Sequence, residues 1–405
     1  MIYIVMGGQA GSEGKGEFVA YLAQKLSKEG ELRAVVRTGG PNAGHTMTTE
    51  FGVHKMRQIP CAWHLTPRVS LFIAHGSLID PKVFQAELEM IRGVRGDGED
   101  DLPFIEVDRH VNIIKDHHKD REAHLRDKVG STTEGIGAAR ADHVMRSAGL
   151  AGRMTNLGFP PKMYRNLFTD VDVAARLNSI ADSHGDIIIE STQGFDLSLN
   201  LSGHYPQTTS RDVTPGQILN DCGLSSRLPH RVISVVRTHP IRVAGNSGFM
   251  AHETDWETLK EDSGGYISEP ETTTVTGNVR RIGYYDKDQI HRMGEVCRPD
   301  WIALTFLDYL DPRCAGMQGQ ELDDYFHWSN DKDGNEMDTV PGDLLVKKTV
   351  GFVDQVERDS GSRIGWISTG PGVITSFDNA KEPGSSAGWG FTPDISVESA
   401  EAQKS

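Results

Sequence analysis

The sequence lacks an apolar run long enough to cross a membrane, which takes about 20 consecutive apolar residues. It also lacks a leader of basic residues followed by an apolar core, because the chain begins directly with a short strand-like run. We therefore expect a cytoplasmic protein with no membrane partner.

Positive charge is in deficit, since 57 Asp and Glu residues outnumber 42 Lys and Arg residues and give a net charge of −15. This balance argues against a broad nucleic-acid-binding surface and against an anionic membrane as a partner. The same acidity is typical of ordinary solubility, so it does not by itself indicate a function.

Cysteine is scarce, and the four residues are widely spaced: Cys61, Cys222, Cys297 and Cys314. Without a CxxC spacing, neither a disulfide framework nor a zinc site is indicated. We expect reduced thiols with a structural role.

Glycine is abundant, above all at residues 7–16, which follow an apolar run at residues 2–6. Apolar side chains then recur at helical spacing, at Phe18, Val19, Leu22, Ala23 and Leu26, so the region is typical of a strand, a loop and a helix. Converging backbone N–H groups, the helix N-terminus and Lys15 together favour a phosphate ligand. The loop departs from the P-loop pattern, because five residues separate Gly8 from Gly14 and Gly16 replaces the usual hydroxyl residue. A glycine-rich turn without a ligand is the alternative, although packing gives no reason for Lys15 there.

Alternating strand and helix patterns predict an α/β fold. Further strand-like runs occur at residues 33–37, 69–74, 186–190, 231–236, 301–306 and 364–367. Each ends at polar or glycine residues, as is typical where the carboxyl ends of strands line a ligand crevice. After the run at 69–74, Asp80 and Pro81 predict a helix start and Gly93 predicts its end.

Composition leaves open whether the chain forms one large domain or two. Two polar stretches, near residues 245–277 and 323–343, are too long for ordinary connections and predict functional loops or small subdomains. Residues 383–405 are mostly small and polar, and we expect a partly mobile tail.

Several polar segments are candidates for nucleotide contacts, and each has a structural alternative. His45, in a second glycine-rich turn at residues 39–46, can donate to a phosphoryl oxygen or be satisfied by loop backbone. The hydroxyls at residues 130–137 suit a phosphate monoester or cap a helix start. Gln193 follows a strong strand and can read a base or coordinate a reacting oxygen. The hydroxyl run at residues 205–210 is a weaker candidate and is also compatible with a turn.

The segment at residues 272–281 combines threonines and a glycine with Arg280 and Arg281. Because arginine binds carboxylates in bidentate geometry, this segment is a candidate receptor for a dicarboxylate, with a solvated basic patch as the alternative. Asp308 can accept two hydrogen bonds from a guanine edge or cap a helix. Small residues at 368–372 permit close approach to a base or ribose.

In their order along the chain, these motifs resemble those of adenylosuccinate synthetases nearly end to end. The matching segments are residues 9–16, 39–46, 130–137, 193–194, 205–210, 276–277 with 280–281, 304–308 and 368–371. The resemblance implies a single, distantly P-loop-like domain over residues 1–382, with one large, mostly parallel central sheet flanked by helices and decorated by small subdomains. It also implies a homodimer.

The resemblance implies a two-step ligase reaction assisted by Mg²⁺. A nucleoside triphosphate phosphorylates the 6-oxygen of a purine monophosphate, and the amino group of L-aspartate then displaces that phosphate. The implied catalytic residues are Ser12, Lys15, His45 and Gln193. The residues implied for the monophosphate and purine are Ser12, Asn42, Ser131, Thr132, Gln193 and Thr209, joined by Arg146 from the other subunit.

By the same resemblance, the aspartate carboxylates are bound by Thr273, Thr274, Val275, Thr276, Gly277 and Arg280. The donor nucleotide is bound by Gly11, Glu13, Gly14, Lys15, Gly16, Gly44, His45, Thr46, Arg280, Phe306, Asp308, Ser368 and Gly370. The metal ligands are Ser12 and Gly44.

Three departures from the family pattern bear on the substrate. Family members carry an aspartate at the position of Ser12, where the carboxylate removes the N1 proton of inosine monophosphate (IMP) and ligates Mg²⁺. A serine cannot be that base at neutral pH without activation, but it leaves room beside purine C2 and can accept a hydrogen bond from a 2-amino group. Asn278 replaces an arginine near the ribose and aspartate, which suits a substrate without a 2′-hydroxyl. Phe306 replaces a lysine beside the donor base, which opens that site to ATP or dATP, although Asp308 favours GTP.

These features predict the bacteriophage branch of the family, the 2-aminoadenylosuccinate synthetases. The predicted reaction joins L-aspartate to C6 of dGMP at the expense of ATP, dATP or GTP and gives N6-succino-2-amino-2′-deoxyadenylate, in the host cytoplasm if the chain is phage-encoded. One alternative is an ordinary adenylosuccinate synthetase that acts on IMP with GTP. A catalytically inactive nucleotide-binding regulator is another, but a regulator, like a mononucleotide kinase, needs no aspartate receptor.

Overall fold

The computed structural model describes residues 1–65, 68–96, 102–152, 166–273, 277–327 and 341–377. The strands are β1 (Ile2–Gly7), β2 (Leu32–Arg37), β3 (His45–Thr49), β4 (Gly52–Met56), β5 (Ser70–Ile73), β6 (Leu78–Ile79), β7 (Ile105–Asp108), β8 (Asn112–Ile113), β9 (Leu167–Val171), β10 (Asp186–Gly194), β11 (His230–Arg237), β12 (Ile241–Arg242), β13 (Glu253–Thr254), β14 (Arg281–Gly283), β15 (Trp301–Thr305), β16 (Arg363–Gly370) and β17 (Val373–Ser376). The helices are α1 (Lys15–Glu29), α2 (Pro81–Arg95), α3 (Asp116–Glu122), α4 (Leu125–Val129), α5 (Ile136–Val144), α6 (Val173–Asp182), α7 (Pro215–Asp221), α8 (Trp256–Asp262), α9 (Lys287–Cys297), α10 (Leu307–Leu310), α11 (Gln320–His327) and α12 (Pro341–Ser360).

Ten strands form the central sheet, in the order β17-β16-β15-β11-β1-β10-β2-β5-β7-β9. Neighbouring strands are parallel except β16 and β17, which pair antiparallel at one edge. In the middle of the sheet, Ile4 lies opposite Ile189 on β10 and Val232 on β11. The predicted α/β fold with a large, mostly parallel sheet is confirmed.

Alternate residues of the central strands enter two hydrophobic cores, one on each face of the sheet. In β10, Ile188 packs with side chains of α1 and α2, whereas Ile187 and Ile189 pack with side chains of α6, α9 and α12. Burial on both faces explains why these strands read as continuous apolar runs. Since helices cover both faces, the loops at the carboxyl ends of the strands are left to form sites.

The predicted strand runs all lie in the central sheet, but three strands at its edges, β7, β9 and β17, were not predicted. In β7, apolar residues alternate with Glu106 and Asp108. Both acids are buried, and each has a partner: Glu106 pairs with Arg176, and Asp108 accepts a hydrogen bond from the backbone N–H of Val173.

The predicted end of α2 at Gly93 is wrong. The helix continues to Arg95, and the N–H of Gly96 closes its last turn.

Beside the central sheet, β12, β14 and β13 form a small sheet that packs with α8 around Ile241, Leu259, Ile267 and Ile282. This unit overlaps the predicted excursion at 245–277. Of the second predicted excursion, residues 328–340 lie outside the described residues, as does the predicted tail at 383–405. Within the described ranges, no helix has the length and apolar character needed to cross a membrane.

Candidate active site

Loops at the carboxyl ends of several central strands converge on one region. The glycine-rich loop follows β1, Gln193 lies near the end of β10, Arg237 ends β11, Asp308 follows β15, and Gly370 ends β16. These five strands are consecutive in the sheet, in the order β16-β15-β11-β1-β10. The site therefore lies at the crevice that the strand ends predicted.

Two cavities occupy this region: cavity I, of about 450 Å³, and cavity II, of about 500 Å³. They share a wall formed by Ser12, Lys15, Gly44, His45 and Arg280. Cavity I is lined by most residues expected at the monophosphate and purine: Asn42, Ser131, Thr132, Gln193 and Thr209, together with Gly11 and Thr273. Cavity II is lined by residues expected at the donor: Gly14, Gly16, Thr46, Phe306, Asp308, Ser368 and Gly370. Ligands in the two cavities would meet at the shared wall.

Some expected residues line neither cavity. Glu13 is fully buried behind the loop, Gly277 is exposed, and Arg146 lies on the exposed surface just after α5. Thr274, Val275 and Thr276 lie outside the described residues.

The buried carboxylate of Glu13 holds the glycine-rich loop through hydrogen bonds. Its Oε1 accepts the backbone N–H groups of Gln9 (3.2 Å) and Gly11 (2.8 Å), and its Oε2 lies 2.6 Å from Nζ of Lys15. Both side chains of the Glu13–Lys15 pair are buried. The pair fixes Lys15 at the N-terminus of α1, where a phosphate group would meet its charge and the helix dipole.

The glycine at position 16 has a packing reason. A Cβ built on Gly16 would lie 2.6 Å from the carbonyl oxygen of Thr46 and 2.7 Å from Cβ of His45. No side chain fits there. Glycine in place of the P-loop serine or threonine therefore leaves the space in which His45 packs against α1.

Ser12 adopts a left-handed backbone conformation, with φ 56°, as do two other residues of the site, Gln193 (φ 62°) and Phe306 (φ 61°). Such conformations are unfavourable for most side chains and persist where the surroundings hold them. Arg237 supplies part of that support: its guanidinium donates to the Ser12 carbonyl at 3.1 Å and lies 3.9 Å from the ring centre of Phe306. The same group pairs with both carboxylate oxygens of Glu271.

His45 lies against a buried cluster of charged groups. Its Nδ1 is 2.5 Å from Oε1 of Glu190, which also accepts a hydrogen bond from Arg37, while the backbone N–H of Cys61 donates to Oε2 at 2.8 Å. A carboxylate only accepts, so the contact with Glu190 requires a proton on Nδ1, although a guanidinium nitrogen of Arg37, which only donates, also lies 2.9 Å from this atom. The Nε2 atom is buried and has no hydrogen-bond partner within the described ranges, and the ring lines both cavities.

Burial, reinforced by the charge of Arg37, lowers the pKa of His45 to about 3, so the ring is neutral near pH 7 in the free protein. Burial acts to raise the pKa of Glu190, but Arg37 and His45 outweigh it and lower that pKa to about 2. A phosphate group beside Nε2 would raise the pKa of His45, because the protonated ring can donate to the anion.

In cavity I, Nε2 of Gln193 donates to Oδ1 of Asn42 at 3.0 Å, and Oγ1 of Thr192 donates to Oε1 of Gln193 at 2.7 Å. This pairing orients the two amides that are expected to contact the purine.

The start of α5 is capped by Glu122, whose carboxylate accepts hydrogen bonds from the N–H groups of Gly135 and Ala138. Since Glu122 provides the cap, the hydroxyls of Ser131 and Thr132 are not needed for it.

The two ends of the loop that is expected to bind aspartate are held together by backbone hydrogen bonds. The N–H of Arg280 donates to the Glu271 carbonyl at 2.9 Å, and the N–H of Thr273 donates to the Asn278 carbonyl at 2.8 Å. Arg280 reaches the shared wall, whereas Arg281 turns away and pairs with Glu253 at 2.6 Å. The two arginines therefore have different roles.

Sequence reasoning missed the charged residues Arg37, Glu190 and Arg237 as parts of the site. Each lies at the carboxyl end of a predicted strand, where the sequence analysis expects the ligand crevice. That position was the signal that could have identified them.

The Mg²⁺ implied by the resemblance can be tested on the donor atoms at the shared wall. Ser12 offers a hydroxyl and Gly44 a carbonyl, both oxygen donors of the kind that Mg²⁺ prefers. None of the five residues of that wall carries a carboxylate. These donors fit the ion when phosphate oxygens of bound nucleotides supply the negative charge.

Comparison with known proteins identifies the family. The family model described as adenylosuccinate synthetase matches residues 4–170 and 161–314. The adenylosuccinate synthetase of Thermococcus onnurineus (strain NA1) is 33% identical over 373 residues, which are 91% of this chain and 96% of that protein. The adenylosuccinate synthetase of Methanococcus vannielii is 32% identical over 380 residues, which are 93% of this chain and 98% of that protein.

Two solved structures have a similar fold. One is the succinoaminodeoxyadenylate synthetase of cyanophage S-2L bound to dGMP and dATP as an energy donor, with a TM-score of 0.69, 24% identity and coverage of 91% of this chain and 93% of that chain. The other is fully ligated adenylosuccinate synthetase from Plasmodium falciparum, with a TM-score of 0.70, 19% identity and coverage of 93% and 99%. From the family match and the two relatives, the chain belongs to the adenylosuccinate synthetase family of carbon–nitrogen ligases.

Proposed function

We propose that this ligase joins L-aspartate to C6 of dGMP, at the expense of a purine nucleoside triphosphate bound in cavity II. The observation that carries the proposal is Ser12, which lines both cavities. The resemblance of the glycine-rich loop places this residue where the family carries an aspartate. Serine is smaller and uncharged, so it leaves room beside purine C2 and can accept a hydrogen bond from a 2-amino group. The structure of the cyanophage S-2L enzyme, which holds dGMP and dATP, supports the same substrate class here.

In the first step, O6 of the purine attacks the γ-phosphorus of the donor. The O6–P bond forms, the bond from the γ-phosphorus to the bridging oxygen breaks, and N1 gives up its proton to solvent water. Lys15 and the loop N–H groups bind the transferred phosphoryl group. His45 takes up a second proton when the bound phosphates raise its pKa, and it then donates from Nε2 to the departing diphosphate while Glu190 accepts from Nδ1. Mg²⁺, when held by Ser12 and Gly44, supplies further positive charge to the phosphates.

In the second step, the amino nitrogen of L-aspartate attacks C6. The C6–O6 bond breaks, phosphate leaves, and the amine loses a proton. Arg280 and Thr273 bind the aspartate carboxylates, because a guanidinium and a hydroxyl both donate to them. Ser131, Thr132, Thr209 and the partner subunit's Arg146 bind the monophosphate in a homodimer.

The proposal is tested by incubating the purified protein with L-aspartate, a donor, and dGMP, GMP or IMP in turn. We expect the highest kcat/KM with dGMP, phosphate release that requires both dGMP and L-aspartate, and a product with the mass of dGMP plus aspartate minus water. Preferential turnover of IMP would refute the dGMP assignment. Absence of turnover with all three monophosphates would refute ligase activity in this chain and favour a regulator.

The second candidate is an ordinary adenylosuccinate synthetase that acts on IMP with GTP. The names of the curated relatives, at about one-third identity, favour it. Like the dGMP reaction, it requires a base other than Ser12 for the N1 proton, since a serine hydroxyl does not ionise near neutral pH without activation, so this requirement does not distinguish the two candidates.

A further inference from the structure

A chain of hydrogen bonds leads from a buried arginine to the Gln193 amide in cavity I. A terminal nitrogen of Arg211, Nη2, donates to Oγ1 of Thr192 at 3.3 Å, and that hydroxyl donates to Oε1 of Gln193 at 2.7 Å. Nε2 of Gln193 then donates to Oδ1 of Asn42 at 3.0 Å. Gln193 and Asn42 line cavity I, whereas Arg211 and Thr192 are buried and line neither cavity.

Arg211 is held in place by a buried ion pair. Its Nη1 pairs with Oδ2 of Asp221, and Nε2 of Gln217 donates to the other oxygen of that carboxylate at 2.7 Å. The backbone N–H of Gly76 donates to the Asp221 carbonyl at 3.0 Å. Because both charged groups are buried and paired with each other, the guanidinium has a fixed position beside Thr192.

The direction of the hydrogen-bond chain is set at Thr192. A guanidinium only donates, so Arg211 makes the Thr192 oxygen an acceptor, and the single hydroxyl hydrogen is left for another partner. Oε1 of Gln193 is the only acceptor that the described part of the chain offers to that hydrogen. A Cβ built on Gly39 would lie 1.8 Å from Oγ1 of Thr192, so the backbone there packs directly against the hydroxyl group.

The reversed direction of the Gln193 amide is unfavourable. With Nε2 toward Thr192, the hydroxyl hydrogen would have no acceptor, and a buried donor left unpaired is costly. Asn42 does not oppose the reversal, because its own amide can turn and still pair with Gln193. The contacts at Thr192 therefore decide which end of the Gln193 amide faces Asn42.

This direction leaves an N–H donor in cavity I. An amide nitrogen carries two hydrogens, and the hydrogen bonds of the described residues use only one of those on Nε2 of Gln193. A purine with an oxo group at C6 offers an acceptor to the second hydrogen. A purine with an amino group at C6 offers a donor instead, so the two N–H groups meet and neither is paired.

We propose that Arg211 is a positioning residue that acts through the Thr192 hydroxyl to fix the direction of the Gln193 amide, so that cavity I selects purines with an oxo group at C6 over purines with an amino group there. The inference rests on the proposed function in taking cavity I as the purine site. It deepens that function by naming the residues that keep a 6-amino purine out.

The experiment measures equilibrium binding of two pairs of monophosphates to the full chain, without donor or L-aspartate. The pairs are dGMP with 2-amino-2′-deoxyadenosine monophosphate, and IMP with AMP. In the unmodified protein, we expect the 6-oxo member of each pair to bind at least about tenfold more tightly, the effect of one hydrogen bond. The members of a pair also differ at N1, but that difference is the same for every variant.

Thr192→Val keeps the shape of the side chain and removes the hydroxyl, so both directions of the Gln193 amide become available. The preference for the 6-oxo member should fall by about fivefold or more in each pair. Thr192→Ser restores a hydroxyl and should restore the preference, which a purely structural role of residue 192 does not predict.

Thr38→Val is the matched control. Oγ1 of Thr38 accepts a hydrogen bond from the same guanidinium at 3.4 Å, and Thr38 is buried and lines neither cavity. This variant loses an equivalent hydroxyl but should keep the preference of the unmodified protein. An unmodified protein without a 6-oxo preference, or equal preferences in Thr192→Val and Thr38→Val, would overturn the inference.

The double variant Arg211→Met with Asp221→Asn tests the arginine itself and serves if Thr192→Val does not fold. It removes the donor to Thr192 without leaving a buried charge of that pair unmatched. Its 6-oxo preference should fall as in Thr192→Val, and an unchanged preference contradicts the role of Arg211. A 6-oxo preference that depends on Thr192, without turnover of dGMP, refutes the proposed ligase reaction alone. Turnover of dGMP with the same preference in all variants refutes the role of Arg211 alone.

Discussion

Glu190→Gln tests the buried cluster that holds His45. The substitution preserves shape but replaces a carboxylate, whose pKa is lowered to about 2, by a neutral amide. It leaves Arg37, which is almost fully buried, without its charged partner. It also removes the acceptor that fixes the proton on Nδ1 of His45 at 2.5 Å.

The expected losses follow from these contacts. Breaking a buried ion pair by removing one partner costs about 3–5 kcal/mol of folding free energy. Typical domains are stable by about 5–15 kcal/mol, so the variant should fold with a reduced margin. Loss of an oriented acid–base group typically lowers kcat by about 10²-fold or more, and KM should change much less, because Glu190 lines neither cavity.

The assay combines urea unfolding with steady-state phosphate release. Glu106→Gln is the control: it breaks a Glu–Arg pair, with Arg176 at 3.1 Å, on β7, the strand next to one edge of the same sheet. The control should lose some stability and keep its kcat. A folded Glu190→Gln protein with unchanged kcat would refute the claim that Glu190 positions His45.

Three further predictions concern stability and the loop. The free energy of unfolding should be highest above about pH 6.5 and fall as the pH drops toward 3, because over that range His45 is protonated in the unfolded chain but neutral in the folded one. Glu190 adds a further loss between about pH 4.5 and 2, where it is protonated in the unfolded chain but charged in the folded one. Urea unfolding across this pH range would contradict the prediction if the free energy of His45→Asn fell as steeply with pH as that of the unmodified protein. Gly16→Ala should cost about 1–3 kcal/mol, because its Cβ would lie 2.6 Å from the Thr46 carbonyl oxygen, and thermal unfolding that matches the unmodified protein would be inconsistent with that contact. Arg237→Met should lower both the free energy of unfolding and kcat/KM for dGMP. The double variant with Glu271→Met should regain stability alone, because no charge is left unpaired but the hydrogen bond to the Ser12 carbonyl is still absent. Recovery of both stability and kcat/KM in the double variant would exclude a role for Arg237 at Ser12.

The fold was predictable where strands are buried on both faces. Runs such as β1 and β10 are continuously apolar because each face meets a hydrophobic core. Strand β7 escaped prediction because Glu106 and Asp108 look like surface residues until their partners are known. Pattern reasoning assumes that buried positions are apolar, and it fails where buried charges are paired.

For the site, residues that follow strand ends could be predicted to lie together, as Ser12, Gln193 and Asp308 do. The contacts between side chains could not be predicted. Arg237 meets Glu271 across 34 residues, and Tyr266 meets Asp308 across 42 residues. Such pairs depend on how the small subdomain packs against the main sheet, and residue spacing carries no information about that.

The most direct test of the account is a competition assay with equal concentrations of dGMP and IMP, in which both succinylated products are quantified by mass for the unmodified protein and for Ser12→Asp. Position 12 has φ 56°, a conformation that aspartate tolerates well, so the substitution changes the side chain without added backbone strain. We predict that the unmodified protein makes mainly the dGMP product and that Ser12→Asp shifts the product ratio toward the IMP product by at least about tenfold. A product ratio that is the same for both proteins, or an unmodified protein that makes mainly the IMP product, would contradict it.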